Sequence, residues 1–480
     1  MKLLIFIFIF SLPATGFGQD CNCKSDFIWV KKTFEENDAG YKYSLSLKGE
    51  EAYKNHSKVY LEKVANIDDH NQCLNAIYEW MTFFRNGHIG IQSLKQQINN
   101  DSKSSVDQIR SQYADWETTN INLDKFKRRI SNNDGTDFEG IWESGPYRIG
   151  INKVGDDYVG FIIEADGVYW VKNQVKLRIH SDNSATFYMR DHSAREFEKA
   201  EIIGNNYLEI GTVRLKRAEP KLKSNENVSR YFQLIEATDP LFQIINDNTV
   251  LIRIPSFNFS SKSKIDSVIS SNQDKLYSKP NLIIDIRDNG GGTDRSYKKL
   301  LPLLYTNPIR TIGVEYYSTP LNNKRVLDFI NDPKYNLSEE EKLFAQKSYE
   351  LLSDNIGEFV TLSDDWIDIT EFDQVLPYPK KVAILINEKN GSTAEQFLLA
   401  AKQSQKVKLY GNSTLGVLDF SNVYGVVSPC GDFKIFYTLS RSKRIPEMAI
   451  DGIGIQPDFY IDKTIPKYEW INFVTKVLDK

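Results

Sequence analysis

The chain has 480 residues, of which 41% are hydrophobic and 26% charged, and 60 Lys+Arg against 64 Asp+Glu give a formal net charge of −4. That apolar share supports packed cores and excludes a disordered or collagen-like chain, and the length suits about three domains. The near balance of charge leaves no domain-wide basic field for phosphates, so nucleic acid is not an expected partner.

Lys2 precedes the apolar run LLIFIFIF, which is followed by Ser11, Pro13, Ala14, Thr15 and Gly16. This is the order of a secretory signal peptide, so residues 1–19 are expected to direct export and then be removed. The run is shorter than the ~18 residues that span a bilayer. The expected product is a secreted or periplasmic protein without stable membrane insertion. Cys21, Cys23, Cys73 and Cys430 are too few for a disulfide scaffold and lack zinc spacing, but they can pair in an oxidising compartment. A link from the Cys21/Cys23 pair to Cys73 is expected.

Residues 20–130 read as mainly helical. Leu74, Ile77, Tyr78, Met81 and Phe84 fall on one stripe of an amphipathic helix. Asn86 and Gly87 supply its stop signal, and His88 to Gln92 alternate like a strand. A polar, Asn- and Ser-rich stretch from Ile98 to Gln108 precedes a second helical segment. Residues 139–218 change to period two, with strands expected at Tyr147 to Ile151, Tyr158 to Ile163, Val168 to Val171, Lys176 to Ile179 and Ala185 to Met189. A hairpin about Gly211 completes an all-β module, a small barrel or open sandwich. Residues 228–480 alternate strands with helices, which implies βαβ units, a largely parallel sheet and function at the strands' carboxyl ends.

Two strand-to-helix junctions in that last part can carry chemistry. After Leu282 to Ile286 come Arg287, Asp288, Asn289 and three consecutive glycines, Gly290, Gly291 and Gly292. Glycine lets the backbone turn its N–H groups towards a ligand, so the loop suits either an oxyanion hole or a plain turn. At the second junction, Ser392 follows Gly391 and opens a helix, with Glu395 three residues on. A capping box explains that serine. So does an attacking hydroxyl, because a helix N-terminus stabilises developing negative charge.

Together, the segments Leu282–Gly292 and Val382–Glu395, with Gly411–Gly416 matching G-x-x-T-x-G and Asp451–Asp458 matching a terminal G-V-x-P-D segment, resemble the S41 serine peptidases. That family includes the C-terminal processing proteases and the tricorn core proteases, and it shares its fold with the retinoid-binding repeats of the eye. The resemblance covers about residues 230 to 465, with a weaker extension over Asp26 to Gln92. It implies an α/β catalytic core of ClpP/crotonase-like βαβ units, here with an N-terminal helical segment and an inserted all-β module that does not read as a PDZ domain. It also implies Ser392 as nucleophile, an oxyanion hole from the amides of Gly291 or Gly292 and of Thr393, a peptide or protein substrate, and neither metal nor organic cofactor.

The processing proteases use a lysine base at the position that is Val417 here, so a Ser/Lys dyad is not available. The tricorn-like branch takes its base from an upstream histidine, and His88 fits that place. By the same resemblance Asp451 orients His88, with Glu447 as the alternative acid. An imidazole base held by a carboxylate is what a serine hydroxyl needs to become a nucleophile. Two other readings stay open: a non-catalytic ligand-binding protein on the same fold, and an envelope or carbohydrate-binding protein acting through the β module. Substrate preference and oligomeric state are not legible.

Overall fold

The computed structural model describes residues 21–94, 103–132, 134–333, 337–363 and 365–480. The expected signal segment, residues 1–19, lies outside the described residues. The chain divides into two compact units, one formed by residues 1–95 with 239–460 and the other by residues 96–238 with 461–480. The boundaries therefore differ from those suggested by composition: the segment carrying His88 belongs to the same unit as the α/β core.

In the first unit a six-stranded sheet runs in the order Leu241–Ile244, Thr249–Arg253, Asn281–Asp285, Lys381–Ile386, Val407–Gly411, Phe459–Tyr460. All pairings are parallel except the first, an antiparallel edge. The central strands are apolar on both faces because both faces are covered, as parallel sheets require. Ile252, Ile284 and Ile384 pack with Phe397, Leu398 and Ala401 of the helix Thr393–Ala401 in one buried cluster. A mixed α/β core with parallel strands, as the alternation of elements implies, is thus observed.

The N-terminal helices build a second core in the same unit. The helix His70–Met81 buries Leu74, Ile77, Trp80 and Met81, while Tyr78 is left largely exposed. This stripe packs on Phe433, Ile435, Tyr437 and Leu439, which alternate along one face of the strand Phe433–Ser442. Gly90–Ser93 pairs antiparallel with Phe433–Phe436 of that strand. Two disulfides, Cys23–Cys73 and Cys21–Cys430, close the arrangement. The first resolves which cysteine of the Cys21/Cys23 pair meets Cys73.

The second unit holds a nine-stranded antiparallel sheet whose edge strands are Ala194–Phe197 and Ala200–Ile203. Gly140–Ser144, Ala194–Phe197 and Ala200–Ile203 join the strands read from periodicity. Val168 to Val171 is not a strand. Asp166 accepts the Val168 N–H and Gln174 accepts the Val171 N–H, and these side chains turn the segment inward. Trp170 thereby reaches the core, where its indole N–H donates to the carbonyls of Met189 and Arg190.

Beneath Trp170 lies Lys176, 1% exposed, with its ammonium 3.8 Å from the Trp170 ring and 4.5 Å from that of Tyr147. Nζ donates to Met189 O at 3.1 Å. Burial pulls this amine down to about 7 from the ordinary 10.5, against the opposing pull of Asp166 and Asp191. His192 is stacked between Tyr113 and Trp170 at 3.8 Å from each, and burial with the charge of Lys176 lowers it to about 4. The unfolded chain holds a proton on Lys176 up to about pH 10.5, whereas the folded chain releases it near 7, so folding gains stability as pH rises between those values. Lys176→Met removes the titration. The difference in urea midpoint between wild type and variant should shrink in the wild type's favour as pH rises from 7 to 10; a constant difference would contradict the assignment.

Candidate active site

The two junctions singled out in the sequence lie side by side because Asn281–Asp285 and Lys381–Ile386 are parallel neighbours in register, with Asp285 opposite Leu385. Below the first loop the fully buried Asp285 carboxylate receives Arg287 Nε at 3.0 Å and Nη2 at 2.7 Å, and Arg253 Nη1 at 3.3 Å. Above the strands three asparagines stitch the loops together. Asn390, fully buried, donates to the carbonyls of Ile286 and Asn289, accepts the N–H of Asn387 at 2.7 Å, and through its own carbonyl accepts the N–H of Leu415 at 2.8 Å. Asn387 accepts from the Asp288 N–H at 2.9 Å and donates to its carboxylate at 2.7 Å. Asn289 anchors to Ile254 O at 3.2 Å.

Ser392 precedes the helix Thr393–Ala401 with φ 56° and ψ −126°, a conformation sparsely used by non-glycine residues and costing on the order of 1–3 kcal/mol. Glu395 does more than serve as a cap partner. Its buried carboxylate accepts from the Ser392 N–H at 3.3 Å, Thr414 Oγ1 at 2.5 Å, the Gly416 N–H at 2.7 Å and the Val417 N–H at 2.9 Å. Burial raises its pKa, and these donors oppose the rise. One side chain thus fastens the T-x-G loop to the serine turn.

Gly291, at φ 104°, sits so close that a Cβ there would lie 2.8 Å from Ser392 Cβ, 2.8 Å from Thr393 N and 2.7 Å from Gly391 O. Only glycine fits over the serine. The Gly291 amide, however, is engaged: it donates to Asn289 Oδ1 at 2.9 Å. This corrects the expectation that Gly291 offers its N–H to an oxyanion. Thr393 opens the helix, where backbone N–H groups lack intrahelical acceptors, and Gly292 follows at φ 149° with its Cα face pressed on Phe257.

His88, at φ 55°, is brought to the same loops through Val417. A Cβ on Gly87 would lie 2.3 Å from Val417 Cγ1, and one on Gly391 2.7 Å from Val417 Cγ2, so the residues preceding His88 and Ser392 close on one side chain. His88 Nδ1 is hydrogen bonded to Phe420 O at 2.5 Å. A carbonyl only accepts, so Nδ1 carries the proton and Nε2 the lone pair. Burial lowers the His88 pKa, and the Arg85 cation adds to that against the Phe420 bond. Arg85 in turn is clamped on Asp38, donates to Gly87 O at 3.2 Å and lies over the Phe34 and Phe420 rings.

Asp451 is not the partner of His88 Nδ1, because Phe420 O occupies that place. Asp451 Oδ1 instead accepts the N–H groups of Leu418 at 2.6 Å and Asp419 at 2.7 Å, and Asp419 Oδ2 accepts those of Ile450 at 2.7 Å and Asp451 at 2.8 Å. The two carboxylates tie each other's backbones together, just ahead of Phe420. Asp419 is also paired with buried Arg444 at 2.9 Å. Burial, with the neighbouring Asp419 charge, pushes Asp451 up to about 6. Glu447 is exposed on a turn. The asparagine stitches, the Phe420 carbonyl and Arg85 carried no sequence signal beyond polar residues at strand ends. Glu395 was visible through its spacing from Ser392, though as a cap.

The chain is similar to known proteins. Residues 248–461 match the model of peptidase family S41. Over 97 residues the chain is 35% identical to the probable CtpA-like serine protease of Staphylococcus aureus, covering 19% of this chain and 18% of that one. Over 158 residues it is 30% identical to the Staphylococcus epidermidis protein of the same name, covering 31% and 29%. The matches therefore span less than a third of the curated relatives' lengths. Mature CPAF, solved in complex with lactacystin, shares the fold over 95% of this chain and 97% of its own, with TM-score 0.52 and 14% identity. The matched span, residues 248–461, contains the sequence motifs that resemble this same family.

Nitrogen-detected NMR of the histidine side chains should find His88 neutral at pH 7 with its proton on Nδ1 and a titration midpoint below the ordinary 6.5. A midpoint above 6.5, or a proton on Nε2, would contradict the site as described.

Proposed function

We propose that the protein is an exported serine peptidase on a ClpP/crotonase-like core, of the histidine-dependent rather than the lysine-dependent branch. Ser392 Oγ attacks the scissile carbonyl carbon while its proton passes to His88 Nε2. The C–O bond forms and the carbonyl electron pair becomes the oxyanion. The amides of Gly292 and Thr393 bind that oxyanion, aided by the positive end of the helix Thr393–Ala401. Protonated His88 then gives its proton to the departing nitrogen, the C–N bond breaks, and an acyl-enzyme remains on Ser392. Water, deprotonated by His88, releases the acyl group as a carboxylic acid and restores the serine.

The observation that carries this reading is the convergence on Val417 of an unusually turned serine at a helix N-terminus and a histidine whose Nδ1 is already spent on a carbonyl. The imidazole is neutral and its basic nitrogen is the one left for chemistry. Asp451 acts at one remove: by holding the amides of Leu418 and Asp419 it fixes the Phe420 carbonyl that orients the ring. The two disulfides support an oxidising compartment, which suits the expected signal segment.

Ser392→Ala should abolish peptide hydrolysis with little change in the thermal unfolding midpoint, and retained turnover would refute the nucleophile. His88→Ala should lower kcat/KM by about 10²–10⁴, the usual range for a general base. Asp451 separates the two ways an acid can serve. An amide oxygen still accepts backbone N–H groups, so Asp451→Asn should keep far more activity than Asp451→Ala. Equal loss in both variants would mean that the charge of Asp451 acts on His88 directly.

A further inference from the structure

A cavity of about 620 Å³ lies in the first unit between the helices Pro320–Asn331 and Glu339–Ser353 and the strands Val314–Tyr317 and Phe433–Ser442. Tyr316, Val326, Phe329, Phe344, Leu352 and Leu439 are apolar or aromatic residues of its wall. Its volume is that of a site for a ligand of several side chains, larger than one residue fills. The helix pair is firmly based: Thr319 and Asn322 at its start hydrogen bond to Asn37 at 2.6 and 2.8 Å, and Tyr437 donates to Asn322 at 3.1 Å. Phe344 at the far end is 55% exposed, so the apolar lining continues to the surface.

Two of the lining residues belong to the chain segments that hold the candidate active site. Arg295 is three residues beyond Gly292, a span of at most about 11 Å of chain. Asn422 is two residues beyond Phe420, whose carbonyl orients His88, a span of at most about 7 Å. Arg295 also bridges to Glu341 on the second helix, which ties the helix pair to the turn that follows the glycine loop. Arg325, over the rings of Phe329 and Tyr424, and Glu340 complete a rim with both signs of charge. Such a rim admits a peptide backbone without selecting an acidic or a basic one.

We propose that this cavity is a second substrate-recognition site, which takes a run of two or three large apolar side chains lying within a few residues of the scissile bond. The inference rests on the peptidase reading for its substrate, and it assigns specificity to the helix pair. Substrates would be peptide segments apolar enough to be buried in a folded protein, presented in extended form.

The test uses the full chain carrying Ser392→Ala and two labelled peptides of equal length and charge, one with three consecutive apolar residues and the other with serines in their place. Fluorescence anisotropy should show the apolar peptide binding at least tenfold more tightly. Adding Val326→Trp, which fills the cavity, should bring the two peptides to equal affinity, and the single variant Val326→Trp should still be labelled at Ser392 by a fluorophosphonate. Independently of that variant, the apolar peptide should displace the dye 1-anilinonaphthalene-8-sulfonate from the Ser392→Ala protein and the serine peptide should not. Equal binding of the two peptides, a preference that survives Val326→Trp, or dye that the apolar peptide cannot displace would each overturn the proposal. Failure of the peptidase reading would look different: no labelling of Ser392 in the wild type, with the peptide preference intact.

Discussion

The buried side chain of Asn390 is the constraint on which the candidate site depends. Two adjacent parallel strands end in loops that have no ladder to continue, and each loop contains a non-glycine residue at positive φ, Asp288 in one and Ser392 in the other. Each such residue costs on the order of 1–3 kcal/mol, which the surrounding contacts must offset. Asn390 does so by bonding carbonyls of the first loop, an amide of the second and, through its own carbonyl, the amide of Leu415. Leaving those buried partners unpaired would cost about 1–3 kcal/mol each. The strain of the serine turn is therefore held by the same groups that fix the glycine loop over it, and Glu395 extends the lock to Val417.

The histidine reaches this lock by a different route. His88 comes from a helical segment far upstream, and what carries it in is burial of an amphipathic stripe on the strand Phe433–Ser442, together with antiparallel pairing from Gly90 to Ser93. Arg85 completes the delivery. Its guanidinium is clamped on Asp38, which in turn accepts from the Thr438 N–H at 3.1 Å on the same strand. The strand that supports the helices also pairs with Phe420–Val427, and its partner begins with the residue whose carbonyl receives the imidazole. Placement of His88 is thus a property of one long hairpin rather than of a local motif.

This difference explains what could be read from the sequence. The strand and helix pattern around Leu282–Ile286 and Lys381–Ile386 is strong because both faces are buried, and the glycine and serine junctions stand at the ends of those runs. The stripe from Leu74 to Phe84 likewise announced its helix and the turn to His88. What could not be read is the assignment of individual polar groups. The Phe420 carbonyl is a backbone atom with no residue signature, and the engagement of the Gly291 amide depends on where Asn289 turns its side chain. An aspartate in the expected place, Asp451, proved to hold backbone amides, since spacing specifies where a carboxylate lies in the chain and not which donors its fold presents. Val168 to Val171 has strand composition, yet side-chain acceptors from Asp166 and Gln174 outcompete the ladder.

In the proposed mechanism Ser392 is activated by neutral His88. The most direct test is the rate at which a fluorophosphonate modifies the wild-type protein as a function of pH, with the modified residue located by peptide mass mapping. A single adduct on Ser392 is expected, formed at a rate that falls as pH drops through a midpoint below 6.5, where His88 takes up its proton. An adduct elsewhere, or a rate on Ser392 that does not change across that range, would contradict the mechanism.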